Sequence, residues 1–258
     1  MKLLLTGASS DLGRLLAEDL RRDHDLRLTD PAELVTDLDF VRSDLGHDES
    51  IGALVAGVHA IIHTGYVPSG PESANQWLDA NTRCTYNLLL AAADAGVSRV
   101  LYLSTLDMFR AYDVDLAVAE DWRPRPSLEA DELGPYMGEF VAREFAHSGE
   151  LEVVVLRLGH VVTAEQARQV PFDPMWIDAR DVGDGVRAAL GRPVRGFGVF
   201  HLQHVSDRAR FAVRRERRVP PKGHGPGGAE HRRGPAAERR RPARVLAFTP
   251  RHNFEEHA

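Results

Sequence analysis

Short apolar runs alternate with segments of helical spacing along the first two hundred residues. Lys2–Leu5 is brief and apolar and predicts a buried strand. Leu12, Leu15, Leu16 and Leu20 fall on one helical face, which predicts a helix over Asp11–Arg22. The alternation continues with strands at Leu26–Thr29, Asp39–Arg42, Ala60–His63, Arg99–Ser104, Glu152–Leu158 and Gly198–Leu202. Helices are predicted between them at Ser50–Val55, Leu78–Ala95, Tyr136–His147 and Ile177–Leu190. Ser50 suits an N-cap and Gly96 a helix stop. Strands that alternate with helices call for a mostly parallel sheet covered on both faces, and right-handed crossovers make it doubly wound.

The 258 residues suffice for a sizeable core without disulfides. A lone cysteine, Cys84, excludes an internal disulfide framework and fits a reducing cytosol. No apolar run approaches the ~18 residues of a membrane span. The start meets Gly7 too soon for a signal peptide. These features predict a cytoplasmic protein without membrane contact. No metal-ligand spacing occurs, so no metal is expected. The net charge of −6 hides an asymmetry: residues 206–244 hold thirteen Lys/Arg against four Asp/Glu, leaving the rest at −15. An acidic body argues against nucleic-acid binding. The basic stretch, rich in Arg, Pro and Gly, has lost apolar periodicity. It reads as a solvated disordered segment, as a contact for nucleic acid or an anionic surface, or as the out-of-frame product of a GC-rich gene.

The turn after the first strand, Thr6-Gly7-Ala8-Ser9-Ser10-Asp11-Leu12-Gly13, has the makings of a pyrophosphate grip. Such a grip needs close backbone N–H donors and the positive end of a helix dipole. Gly7 suits the tight turn and Gly13 the close helix–sheet contact, while Ser10 stands at the usual middle glycine. The candidate binding residues here are Gly7, Ser9, Ser10, Asp11, Leu12 and Gly13. Asp30 follows the second strand, 23 residues after Gly7. A carboxylate there accepts from ribose hydroxyls and repels a 2′-phosphate, which points to NAD rather than NADP. Asp30 also suits a turn before Pro31.

With these features on one chain, residues 1–205 and the final dozen or so resemble the short-chain dehydrogenase/reductase superfamily, in its extended, NAD-dependent epimerase/dehydratase branch. Ser43-Asp44-Leu45 resembles the pair beside the adenine, and Ile61-Ile62-His63-Thr64-Gly65 the strand end beneath the cofactor. Asn81 through Leu89 resembles the helix that opens with Asn. Arg99 through Thr105 resembles the strand bearing the catalytic Ser/Thr, and Glu120 through Pro126 the loop before the catalytic Tyr. Trp176 through Val182 resembles the late helix start.

The resemblance implies an α/β fold, a Rossmann-type doubly wound parallel sheet with a small C-terminal substrate-side lobe. It implies an NAD-binding domain over residues 1–205, followed by the basic segment 206–244 and a family-like tail at 245–258. It adds Asp44, Leu45, His63, Thr64, Gly65 and Asn81 to the cofactor contacts, with Tyr136 on both lists. For chemistry it implies Tyr136 as proton donor or acceptor, and Thr105, with Ser104 beside it, as substrate-orienting hydroxyl. The lysine expected four residues after the tyrosine is replaced by Phe140. Arg143 shares that helix face, and His160 follows a buried strand on the nicotinamide side. The implied activity is hydride transfer on a sugar, uronic acid or similar small hydroxy or carbonyl substrate. The alternative is a dinucleotide-binding sensor or regulatory module with little or no turnover. A homodimer through the helices at 78–95 and 136–147 is a further implication.

Overall fold

The computed structural model describes residues 1–46, 50–65, 73–113, 118–169, 171–173, 175–203 and 250–252. The segment 206–244 and most of the tail at 245–258 lie outside the described residues. In chain order the elements are β1 (Lys2–Thr6), α1 (Asp11–Leu20), β2 (Asp25–Asp30), β3 (Asp39–Arg42), α2 (Ser50–Val55) and β4 (Ala60–Thr64). Next come α3 (Ser73–Asp79), a π turn (Ala80–Cys84), α4 (Thr85–Asp94), β5 (Arg99–Thr105), a short 3-10 turn (Asp107–Phe109) and α5 (Ala130–Ser148). The last are β6 (Glu152–Leu158), β7 (His160–Val162), α6 (Ala164–Ala167), β8 (Trp176–Asp178), α7 (Ala179–Gly191) and β9 (Phe197–Leu202).

Seven strands form one parallel sheet in the order β3-β2-β1-β4-β5-β6-β9. One apolar cluster joins the sheet to α1 and α7, and a second joins it to α2, α4 and α5. The layers are thus helix, sheet, helix, as the apolar runs of the strands require. Val153, Val154, Val155 and Leu156 are fully buried on both faces of β6. Strand order reverses between β1 and β4, so the crevice beyond their carboxyl ends is the natural ligand position of such a sheet.

Several boundaries depart from the sequence reading. α5 starts at Ala130, one and a half turns before Tyr136, and carries Pro135 inside it. Pro135 lies beyond the first turn and leaves the Asp131 carbonyl without its intrahelical donor, a cost that the packing of Gly134 on the Trp77 carbonyl and of Gly138 on Tyr102 offsets. The helix expected from Ile177 begins instead at Ala179, because Trp176–Asp178 pairs with His160–Val162 as a small two-stranded parallel sheet. The Asp178 side chain then caps α7 by accepting the Arg180 N–H at 2.8 Å. The long helix at 78–95 opens earlier, at Ser73, and is interrupted by the π turn that contains Asn81.

Candidate active site

The β1–α1 turn sits at the reversal of strand order and is closed by its own polar groups. Gly7 has φ +63°, and a Cβ there would lie 1.9 Å from Thr64 Oγ1. A Cβ on Gly13 would lie 2.2 Å from the Gly7 carbonyl oxygen. Both positions therefore need glycine, one for backbone angle and crowding and the other for crowding alone. Ser10 caps α1: its hydroxyl accepts the Gly13 N–H at 2.9 Å and donates to the Gly7 carbonyl at 2.7 Å. That is the physical role of a serine where the usual pattern has glycine. Asp11 and Leu12 open the first turn of α1, and Asp11 is exposed. Arg14 folds back to donate to the Ser9 carbonyl at 3.1 Å.

Asp30 ends β2 and is buried, with both carboxylate oxygens directed at backbone. One oxygen accepts the Ser9 N–H at 2.9 Å and the other the Ala32 N–H at 2.9 Å. The carboxylate thus ties the glycine turn to the end of the neighbouring strand. On the other side, Thr6 and Thr64 brace β1 against β4: the Thr64 N–H donates to Thr6 Oγ1 at 3.0 Å. The Thr64 hydroxyl donates to the Thr6 carbonyl at 3.2 Å.

The adenine-side candidates form a second turn. Leu45 has φ +55°, an uncommon angle for a branched residue. It is held by a Ser43 hydroxyl accepting its N–H at 3.1 Å and by Asn87 Nδ2 donating to its carbonyl at 3.1 Å. Asp44 accepts the Gly46 N–H at 2.9 Å. Cys84 donates to the Asp44 carbonyl at 3.2 Å, and burial first of all pushes its thiol up to about 11. It is a packed thiol rather than a nucleophile.

Two candidates lie beneath the site rather than open to it. His63 is fully buried between Thr6 Oγ1 at 2.8 Å and Thr85 Oγ1 at 2.9 Å. Burial lowers its imidazole to about 4, so it is neutral. Asn81 is also buried, donating to the Gly65 carbonyl at 3.0 Å and the Trp77 carbonyl at 2.8 Å while accepting from Tyr102 Oη. It pins the strand end at Gly65, where a Cβ would lie 1.9 Å from Asn81 Oδ1.

The reacting end is built at the carboxyl edge of β5. Ser104 is buried and its hydroxyl has no partner among the described residues. Thr105 is half-buried, and its hydroxyl accepts the Asp107 N–H at 3.0 Å. Tyr136, half-buried on α5, packs against Leu106, Met108 and Phe109, the residues that follow Thr105. The structure therefore seats Tyr136 on the segment that directly follows Thr105. Phe140, one helical turn on, is 54% exposed. Arg143 stacks its guanidinium 4.5 Å from the Phe140 ring centroid and faces Glu144 at 3.3 Å.

Two groupings were not assembled by sequence reasoning. Glu139 and Arg157 form a buried bidentate pair at 2.9 and 2.7 Å that ties α5 to β6. An arginine within an otherwise apolar strand was the available signal, since a buried charge needs a partner. His160 lies between two carboxylates, its Nε2 2.9 Å from Asp107 and its Nδ1 2.9 Å from Asp173. Among the described residues no grouping could hold a metal ion, and no helix is long and apolar enough to cross a membrane.

Residues 3–179 match the NAD dependent epimerase/dehydratase family. The uronate dehydrogenase of Pseudomonas syringae pv. tomato is 31% identical over 205 residues, 78% of this chain and 73% of that protein. The L-arabinose 1-dehydrogenase (NAD(P)(+)) of Haloferax volcanii is 24% identical over 213 residues, 73% of this chain and 82% of that one. A crystal structure of glucuronic acid dehydrogenase from Chromohalobacter salexigens superposes with a TM-score of 0.70 at 25% identity, covering 80% of this chain and 78% of that one.

Proposed function

We propose, because this chain belongs to the NAD dependent epimerase/dehydratase family, that it oxidises a hydroxyl of a sugar or sugar acid with NAD as hydride acceptor. The observation that carries this reading is Asp30, buried at the end of β2 and bonded back to Ser9 of the glycine turn. The residues present fit the dinucleotide. The turn demands glycine at 7 and 13, α1 offers its amino end, and Ser104 holds near the end of β5 a buried hydroxyl with no partner among the described residues. Gly7, Ser9, Ser10, Asp11, Leu12 and Gly13 would hold the pyrophosphate, and Asp30 the adenine ribose. Asp44 and Leu45 would border the adenine, with Thr64 and Gly65 beneath the dinucleotide. His63 and Asn81 act from below, by fixing β4.

The cofactor supplies a two-electron acceptor at its nicotinamide. The chain supplies orientation: Tyr136 and Thr105 hydrogen-bond the reacting oxygen, and the Leu106, Met108 and Phe109 cluster fixes Tyr136 against the end of β5. Uronates and aldoses are the first substrates to test, since enzymes named for them are the relatives described above. A cytoplasmic location and a homodimer through α4 and α5 belong to the same proposal. Tyr86 and Met137 stand exposed on those helices, and sedentation of the purified protein by analytical ultracentrifugation would test the dimer.

The deciding experiment titrates the protein with NADH and NADPH and then follows NAD reduction with a panel of uronates and aldoses. Tight NADH binding that weakens at least ten-fold in Asp30→Ala, together with turnover of a panel member, is the expected result. NADH binding without turnover of any sugar would favour the binding-module alternative. Binding of neither nucleotide would remove the proposal.

A further inference from the structure

We propose that His160 is a positioning residue for the reaction, a crossbar that bonds Asp107 and Asp173 at once and so fixes the supports of Thr105 and Tyr136; this rests on the dehydrogenase reading above. Thr105 and Tyr136 come from different elements, β5 and α5. Their hydroxyls have to hold one reacting oxygen together, and a misplacement of about 1 Å can cost about 10²-fold in rate.

On the Thr105 side the support is backbone. The Asp107 N–H donates to Thr105 Oγ1 at 3.0 Å, which leaves the threonine O–H to donate to the reacting oxygen. The Asp107 side chain is held in turn, its Oδ1 2.9 Å from His160 Nε2. On the Tyr136 side, His160 Nδ1 lies 2.9 Å from Asp173 Oδ2, and the other oxygen of Asp173 accepts the Met175 N–H at 2.8 Å. The Met175 carbonyl accepts the His160 backbone N–H at 2.8 Å. Met175 packs on the Leu106, Met108 and Phe109 cluster that also carries Tyr136. The two segments approach so closely that a Cβ on Gly159 would lie 2.0 Å from the Met175 carbonyl oxygen. One imidazole thus joins the turn after β5, the start of β7 and the loop before β8.

The crossbar depends on charge. Ionised carboxylates only accept, and a neutral imidazole carries one N–H, so it satisfies one aspartate. Both 2.9 Å contacts are hydrogen bonds only in the imidazolium. Asp107 and Asp173 face the ring directly. Arg110, at the end of the turn that holds Asp107, lies 3.0 Å from the same Oδ1 and 3.2 Å from Glu132 of α5. On β8, Asp178 is turned to Arg180 at 2.8 Å. The bond to Asp107 is the main cause that raises the His160 titration, with burial opposing it. Arg110 keeps Asp107 tied to α5, so a deprotonated His160 gives up the link between the two aspartates. The crossbar is complete below the His160 midpoint and loses one bond above it. Turnover therefore carries a descending limb through a midpoint above the ordinary imidazole value of about 6.5.

The test separates this role from a merely structural one. The His160 ring is titrated by NMR in the free wild-type protein, in Asp107→Asn and in Asp173→Asn; the expected midpoint lies above about 6.5 in wild type and falls in each variant. Kinetics follow with the sugar that wild type oxidises. His160→Gln reaches one aspartate at most. It is expected to lose about ten-fold in kcat near pH 6, with KM and NADH affinity within about two-fold, and to lack the descending limb. His160→Arg carries a permanent charge with donors for both aspartates, and is expected to restore about half of kcat without that limb. A glutamine variant with the wild-type kcat and limb overturns the crossbar alone. So does an arginine variant that keeps the limb, or a ring midpoint unmoved by either aspartate substitution. A protein that binds NADH and shows the coupled ring titration yet oxidises no sugar overturns the dehydrogenase reading, and with it the role of His160 in that reaction.

Discussion

Two residues of one helix face, Tyr136 and Phe140, set the chemistry at the finest scale. Tyr136 is held by Leu106, Met108 and Phe109, so Tyr136→Phe removes one hydrogen bond to the reacting oxygen without disturbing packing. Loss of a preorganised donor of this kind costs about 10²–10³ in kcat. We expect that loss with NADH affinity within two-fold of wild type; unchanged turnover would take Tyr136 out of the reaction. Phe140→Lys is the converse change. The side chain is 54% exposed, so a lysine fits without cavity or clash. It would give Tyr136 a cation one turn away, raising kcat. No gain would mean that the site no longer depends on a cation at that place. Both residues were legible in the sequence, because a tyrosine and the position four beyond it need nothing but helical spacing to be paired. Asp107 and Asp173 were not, because their meeting at His160 depends on how two loops converge.

At the scale of elements, α5 does most of the positioning. It lies against β5 so closely that a Cβ on Gly138 would sit 1.9 Å from Tyr102 Oη and 2.9 Å from the Asn81 carbonyl oxygen. Tyr102 and Asn81 in turn hold Gly65 at the end of β4. Gly138→Ala gains about 1 kcal/mol of helix propensity, yet overpacking costs about 1–3 kcal/mol. We expect net destabilisation in urea unfolding, partly relieved when Tyr102→Phe is combined with it. Simple additivity of the two changes would rule out the contact as its cause. The main strands and helices were legible because each carries a long apolar stripe. β7 and β8 escaped detection because three residues hold no period. The start of α5 was missed because Gly134 and Pro135 look like a break until the helix is seen packed on its neighbours. The π turn that places Asn81 has no sequence signature, only a structural one.

Across the whole molecule, the buried charges and imidazoles link the fold to pH. His63 and His201 are both held neutral by burial, lowered to about 4 and about 3, with Arg157 adding to the effect at His201. In the unfolded chain each returns to about 6.5. Between those values the unfolded state binds more protons, so stability is complete above about pH 6.5 and falls as the pH drops toward the folded values. Each histidine contributes a slope of about 1.4 kcal/mol per pH unit in that window. His160 works in the other sense: its raised titration stabilises below about pH 6.5, and that contribution is lost as pH rises through its folded value. His63, buried, and His201, half-buried, therefore govern the acid side. We expect the urea-unfolding free energy to drop more steeply between pH 6 and 5 in wild type than in His201→Gln, by about 1.4 kcal/mol. Equal slopes would mean that His201 takes up its proton while folded. That result would also mean that Arg157, 3.4 Å away, does not oppose its protonation.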